Sequence, residues 1–237
     1  MTFVEALFAV QDEDVLSGQL QHRLLQLPDR ARLVDARANQ TATAAENGEL
    51  DLERLEMLRR QHRIERDVAA IEIRLAELDG KLYGGAITTA REASTLQEEI
   101  EHLRRRQDDL ESDVLELMET LEPLDEQLAE LAGLGSRQEA SVSEALRDLS
   151  TAESVVTEEL AQSAARRETA VVQLGVEVLD RYEKNRAAFG SSTAVRFYGA
   201  DCKGCPLTMP AVEADRVRAL PSGTLVDCRE CGRLVVR

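Results

Sequence analysis

Trp is absent from this sequence, and aromatic residues make up only 3% of its 237 positions. A single thick globule, which relies on large rings to fill its centre, is therefore an unfavourable reading. Lysine is nearly missing as well: three Lys accompany 26 Arg. With a formal net charge of -16, the chain cannot coat DNA or RNA over its whole surface, because phosphate contacts need clustered cations. No apolar run approaches the roughly 18 residues of a spanning helix. The opening Met1–Val10 stretch has no basic region, is interrupted by Glu5 and runs straight into Asp12, Glu13 and Asp14, so it does not read as a signal peptide. A cytoplasmic protein is expected.

What is abundant is charge, at 31%, laid over leucine periodicity. Ile64, Val68, Ile71, Leu75, Leu78 and Leu82 alternate four and three residues apart, which is heptad spacing. A second stripe runs through Leu96, Ile100, Leu103, Leu110, Val114, Leu117, Leu121, Leu124, Leu128 and Leu131, with Gln107 as its polar exception. Between the stripes stand Gly80, Gly84 and Gly85, then Thr88 and Thr89, which favour a break and a restart. The pattern predicts an antiparallel coiled-coil α-hairpin turning near residues 80–91. An arm of about 50 residues would be about 75 Å long. Arg59, Arg60, Arg63, Arg66 and Arg74 are expected to meet acidic residues of the second arm, among them Glu98, Glu99, Asp108 and Asp113. Such exposed pairs set register more than stability, at ~0.2–1 kcal/mol each.

Further boundaries follow from local chemistry. A first helix is expected over about 3–26, broken near Pro28, with the pattern resuming at Ala31 and a soft spot at Asn47-Gly48. Pro123 should kink the second arm or delay its hydrogen bonding. Gly133-Leu134-Gly135-Ser136 reads as a true interruption, and a last helix runs from Val171 to about Ala188. His22, His62 and His102 lack a second ligand at helical spacing and are not assigned to a site.

All four cysteines fall in the last 36 residues, as Cys202-Lys203-Gly204-Cys205 and Cys228-Arg229-Glu230-Cys231. Two C-x-x-C knuckles bring four thiolates within reach of one tetrahedral Zn²⁺, a structural rather than catalytic arrangement because it closes the coordination sphere. Two competing readings are a thioredoxin-like redox pair, which would need a surrounding βαβ pattern, and disulfides, which would need a secretion signal. Short strands are expected at Val195–Tyr198, Thr224–Asp227 and Arg233–Val236. The division is thus a hairpin over 1–190 and a zinc ribbon over 191–237, mainly α with a small β module. Residues 195–237 carry seven basic and five acidic side chains, a balance of +2 that leaves -18 for the remainder.

In addition to the cysteine pairs, Leu82-Tyr83-Gly84-Gly85-Ala86-Ile87 with Arg91-Glu92, Leu96-Gln97-Glu98-Glu99-Ile100, Tyr182-Glu183-Lys184 and the Leu20–Pro28 stretch carry a resemblance. The chain resembles a bacterial family of coiled-coil hairpin proteins that end in a C4-type zinc ribbon, with Helicobacter, chlamydial and mycobacterial members. The resemblance implies that Cys202, Cys205, Cys228 and Cys231 are zinc ligands and that the hairpin is a partner-binding arm.

No Ser/His/Asp set, phosphate-cradling glycine loop or H-E-x-x-H motif is present, so no enzyme is expected. The leading reading is a zinc-binding adaptor or scaffold, a monomer or homodimer off the membrane. It would engage protein along the coiled coil or at a tip marked by Tyr83, although Tyr83 packed over the glycine turn is the simpler expectation for that residue. The alternative is a DNA- or RNA-binding regulator that uses Lys203, Arg216, Arg218, Arg229 and Arg233 around the ribbon.

Overall fold

A computed structural model describes residues 2–85, 87–199, 201–205 and 208–237. Ala86, within the expected turn, and Pro206 and Leu207, in the expected ribbon loop, lie outside the described residues.

Helix α1 spans Phe3–Leu25 and begins with a reciprocal cap: the Glu5 N–H donates to Thr2 Oγ1 (3.3 Å) and the Thr2 N–H donates to Glu5 Oε2 (2.7 Å). Helix α2 covers Pro28–Tyr83. Pro28 does not only break the chain but also opens this helix, because a first-turn residue has no use for the N–H that proline lacks. Helix α3 covers Ala90–Val171, and Thr89 Oγ1 accepts the Glu92 N–H at its start. Helix α4 is Val176–Phe189, followed by a single 3₁₀ turn at Gly190–Ser192.

Two expected boundaries differ. The interruption at Gly133–Ser136 does not occur, since α3 runs through it for 82 residues with Pro123 also inside. Two interior glycines cost about 0.5–1 kcal/mol each relative to alanine. Ending and restarting a helix would instead leave four unpaired groups on either side. Ser136 does not cap; its hydroxyl donates back to the Ala132 carbonyl at 3.1 Å. The helix read as Val171 to Ala188 is in turn divided, because Gly175 sits at φ 75°, outside the helical region and open to glycine. A Cβ at Gly135 would meet nothing within 4 Å. Gly135→Ala is therefore expected to stabilise the protein by about 0.5–1 kcal/mol, seen as a raised thermal midpoint. A lowered midpoint would contradict an unbroken helix there.

The described chain forms two compact units, Met1–Arg32 with Leu146–Arg237, and Leu33–Ala145. In the second, α2 and α3 meet along the expected seam. Ile64, Leu110 and Leu117 are packed with Met57, Val68, Ile71 and Val114. Towards the turn, Leu75, Leu78 and Ile100 are packed with Leu82, Leu96 and Leu103. The stripe is apolar where the arms touch, and Gln107 turns along its own helix to donate to Glu111 Oε1 at 2.7 Å. Of the five arginines expected to bridge the arms, Arg74 does so, to Glu99 at 2.9 Å. Arg54–Asp125 and Arg104–Asp79 are further cross-arm pairs.

The first unit contains a four-stranded sheet in the order β2-β1-β4-β3. Strands β1 (Ala194–Tyr198) and β4 (Leu234–Val236) are parallel, Ala194 lying opposite Leu234. Strands β2 (Asp201–Cys202) and β3 (Leu225–Asp227) are antiparallel additions at the two edges. Three of these strands match the expected runs to within a residue. Strand β2 and helix α5 (Ala211–Arg218) are additional. One core joins Ala6, Leu7 and Val10 of α1 with Ala170, Leu174, Tyr182, Ala194, Leu234 and Val236, so residues on both sides of position 190 share it. The Gln11 side chain completes this contact: it donates to the Ala194 carbonyl (3.0 Å) and accepts the Ala194 N–H (2.6 Å). A side-chain amide thus satisfies both backbone groups at the head of β1, as a neighbouring strand would.

Candidate metal centre

The β1–β2 hairpin delivers the first cysteine pair and the β3–β4 connection delivers the second. In the first knuckle the Cys205 N–H donates to the Cys202 carbonyl at 3.1 Å. In the second the Gly232 N–H donates to the Cys228 carbonyl at 2.7 Å, and the Cys228 N–H donates to the Arg233 carbonyl at 2.9 Å. Gly232 adopts φ 77°, the left-handed conformation that lets the chain leave this knuckle into β4.

The four sulfurs lie within 4.8 Å of one another, and Cys202 Sγ is 3.8 Å from Cys231 Sγ. Bonds of about 2.3 Å to one tetrahedral ion would place the sulfurs about 3.8 Å apart, whereas a disulfide would need about 2.05 Å. No two of the four cysteines form a disulfide. Cys202 and Cys228 are buried, and Cys205 and Cys231 are half-buried. Burial pushes the Cys202 thiol up to about 12. Burial also penalises the Cys231 thiolate, but hydrogen bonds led by those from the Arg233 backbone and guanidinium outweigh it and draw this thiol down to about 7. The donor set and its spacing fit a metal ion, which would supply the positive charge that four converging thiolates need. Among the described residues this is the one group of His, Cys, Asp and Glu placed to hold an ion. His62, by contrast, meets Glu65 alone of such groups, at 3.1 Å.

Most basic side chains around the centre are engaged within the protein. Arg216 forms a two-pronged contact with Glu213, whose carboxyl it holds below the usual range, and Arg229 approaches the same carboxylate at 3.5 Å. Arg218 pairs with Asp215 and donates to the Gly199 carbonyl at 3.2 Å. Lys203 lies 5.2 Å from the centre of the Tyr198 ring, and Arg196 stacks on Phe8 at 4.4 Å. Arg233 donates to the Gly204 carbonyl at 2.8 Å. The anchoring by α5 escaped the sequence reading, although Glu213/Arg216 and Asp215/Arg218 have the three-residue spacing of helical ion pairs.

Tyr83, in the other unit, ends α2 and is 81% exposed, so it does not pack over the glycine turn. Beside the turn, Lys81, Ile87, Thr89, Arg91, Glu92, Thr95 and Leu96 line a shallow depression. Among the described residues no helix is long and apolar enough to cross a membrane.

Comparison with known proteins returns the same architecture. A protein from Mycobacterium smegmatis superposes with a TM-score of 0.84 at 24% identity, over 99% of this chain and 98% of that one. CT398 from Chlamydia trachomatis does so with a TM-score of 0.68 at 18% identity, over 99% and 98%. The HP0958 protein from Helicobacter pylori matches with a TM-score of 0.49 at 18% identity, over 99% and 96%. No curated protein matches the sequence. The family model described as the CT398-like coiled coil hairpin domain matches residues 10–190, and the chain belongs to that family.

Proposed function

We propose that the protein is a non-enzymatic, zinc-binding cytoplasmic adaptor that receives a partner protein on its coiled-coil hairpin, with the turn beside Tyr83 as the principal contact. The observation that carries this reading is the closed set of four sulfurs. A catalytic zinc keeps a position open for water or substrate, and four cysteines leave none. Zinc is the ion assigned because thiolate donors in a tetrahedral set favour it over harder cations. With the metal in a structural role, recognition falls to exposed surface, and Tyr83 is a large amphipathic ring held in solvent.

The engagement of Arg216, Arg218, Arg229 and Arg233 within the protein supports a protein partner over nucleic acid, since phosphate binding needs cations free to exchange their counterions. Two measurements on the full-length zinc-loaded protein test the reading. Affinity capture from the source cell is expected to recover a partner that Tyr83→Ala loses, by about 2 kcal/mol or more if the ring is a central anchor. Retention of every partner by Tyr83→Ala would remove the turn from the function. A titration with mixed DNA and RNA at low and moderate salt is expected to show no binding. Salt-sensitive binding there would replace the adaptor reading with a nucleic-acid one.

A further inference from the structure

Arg233 differs from three other arginines near the cysteines. Arg216, Arg218 and Arg229 each meet a carboxylate, whereas Arg233 forms no ion pair with a carboxylate among the described residues. Its guanidinium is nevertheless half-buried and held by hydrogen bonds to two carbonyls. Nη1 donates to the Gly204 carbonyl at 2.8 Å, Nε donates to the Ser192 carbonyl at 2.9 Å with Ser192 Oγ at 3.2 Å, and the group stacks on Phe189 at 4.7 Å. Its own carbonyl accepts the Cys228 N–H at 2.9 Å.

We propose that Arg233 is the positioning residue of the metal centre: its backbone closes the second cysteine knuckle while its guanidinium holds the first. The inference rests on the reading of the four cysteines as a metal site. One residue then sets the separation of the two knuckles, which no bond within either knuckle can do. A loaded centre of one divalent cation and four thiolates carries a charge of -2, and this supplies the anion that Arg233 otherwise lacks. Gly204 is required for the same reason: a Cβ there would overlap Arg233 Cδ and come within 3.1 Å of Val195 Cγ1, displacing the side chain from its carbonyl. Lysine cannot substitute, because a single ammonium has no planar fork to span the Gly204 and Ser192 carbonyls.

The test uses the full-length protein and zinc itself, with affinity measured by competition against a chromophoric chelator. Arg233→Gln is expected to weaken zinc binding by about 10- to 100-fold, the usual effect of losing a residue that orients metal ligands. Arg233→Lys, which keeps charge and bulk and guards against a simple folding defect, is expected to recover only a minor part of that loss. Co²⁺ bound to either variant should retain the sulfur-to-metal charge-transfer absorption of four thiolates, showing that the ligands are intact and only their placement has suffered. Unchanged affinity in Arg233→Gln with a lowered melting temperature would overturn the proposal in favour of plain packing. Full rescue by lysine would overturn it in favour of bulk charge. If the unsubstituted protein bound no zinc, the metal reading would fall first, an outcome distinct from wild-type binding with an indifferent Arg233.

Discussion

Cys228→Ser is expected to release the bound metal and to unfold the C-terminal sheet with it. Cys228 is 3% exposed and belongs to the core it would anchor, alongside Cys202, Met209, Ala214, Val217 and Val235. The strands on this core are two to five residues long, too short to be stable on hydrogen bonds alone. A hydroxyl does not ionise near neutrality as a thiol bound to zinc does, so the substitution removes a charged ligand and leaves three thiolates converging. In small zinc domains binding amounts to about 10–16 kcal/mol of folding free energy at neutral pH. Here the loss is partly offset, because α1 packs on the opposite face of β1 and β4 through Leu7 and Val10. Metal content should fall from one ion per chain to none. Hydrogen-exchange protection should be lost across Ala194–Tyr198 and Leu234–Val236 and retained around Ile64 and Leu117. Retained protection in the strands of a metal-free variant would show that the sheet stands without the centre.

Asp14→Ala is expected to destabilise the first unit by about 1.5–3 kcal/mol, because it removes a buried carboxylate that accepts from three donors and leaves the buried Tyr182 hydroxyl without this acceptor. The Asp14 side chain is 6% exposed and receives three partners: Arg167 Nε at 2.8 Å, Arg186 Nη2 at 3.0 Å and the Tyr182 hydroxyl at 2.9 Å. Glu183 also pairs with both arginines. These contacts tie α1 to α3 and α4. Burial, then the Asp14 charge, pushes the Tyr182 hydroxyl above its usual range, so it remains a donor throughout the physiological span. Tyr182→Phe removes one neutral donor but keeps the charges paired, and should cost about 0.5–1.5 kcal/mol. Urea unfolding of the two variants distinguishes the terms. Equal losses would mean that the hydroxyl, not charge compensation, dominates the network.

The hairpin was legible because its information is local: each seam position repeats a chemistry already present three or four residues away. The cysteine pairs were legible for the same reason. Gly133 and Gly135 misled because propensity weighs a residue at a time, whereas an 82-residue helix spreads a penalty of about 1 kcal/mol per glycine over many contacts. Helix α5 was missed because eight residues offer just one turn-to-turn repeat, Ala214 and Val217, next to a Val212 that is 85% exposed. The roles of Arg233 and Gln11 were invisible in principle. A sequence displays their charge and polarity but not that Gly204 and Ala194, 29 and 183 positions away, will be waiting for them.

The separation between Gln11 and Ala194 bears on how the molecule comes into being. Ribosomal synthesis at about 5–20 residues per second puts roughly 10–40 s between the emergence of one and of the other. Throughout that interval Ala6, Leu7 and Val10, all 0% exposed in the finished fold, have no sheet to cover them. The two arms can zip together during elongation, since their contacts close progressively from the turn. The first helix cannot complete its burial until Leu234 and Val236 have left the tunnel. A nascent chain stopped short of Leu234 therefore presents that face to chaperones and proteases instead.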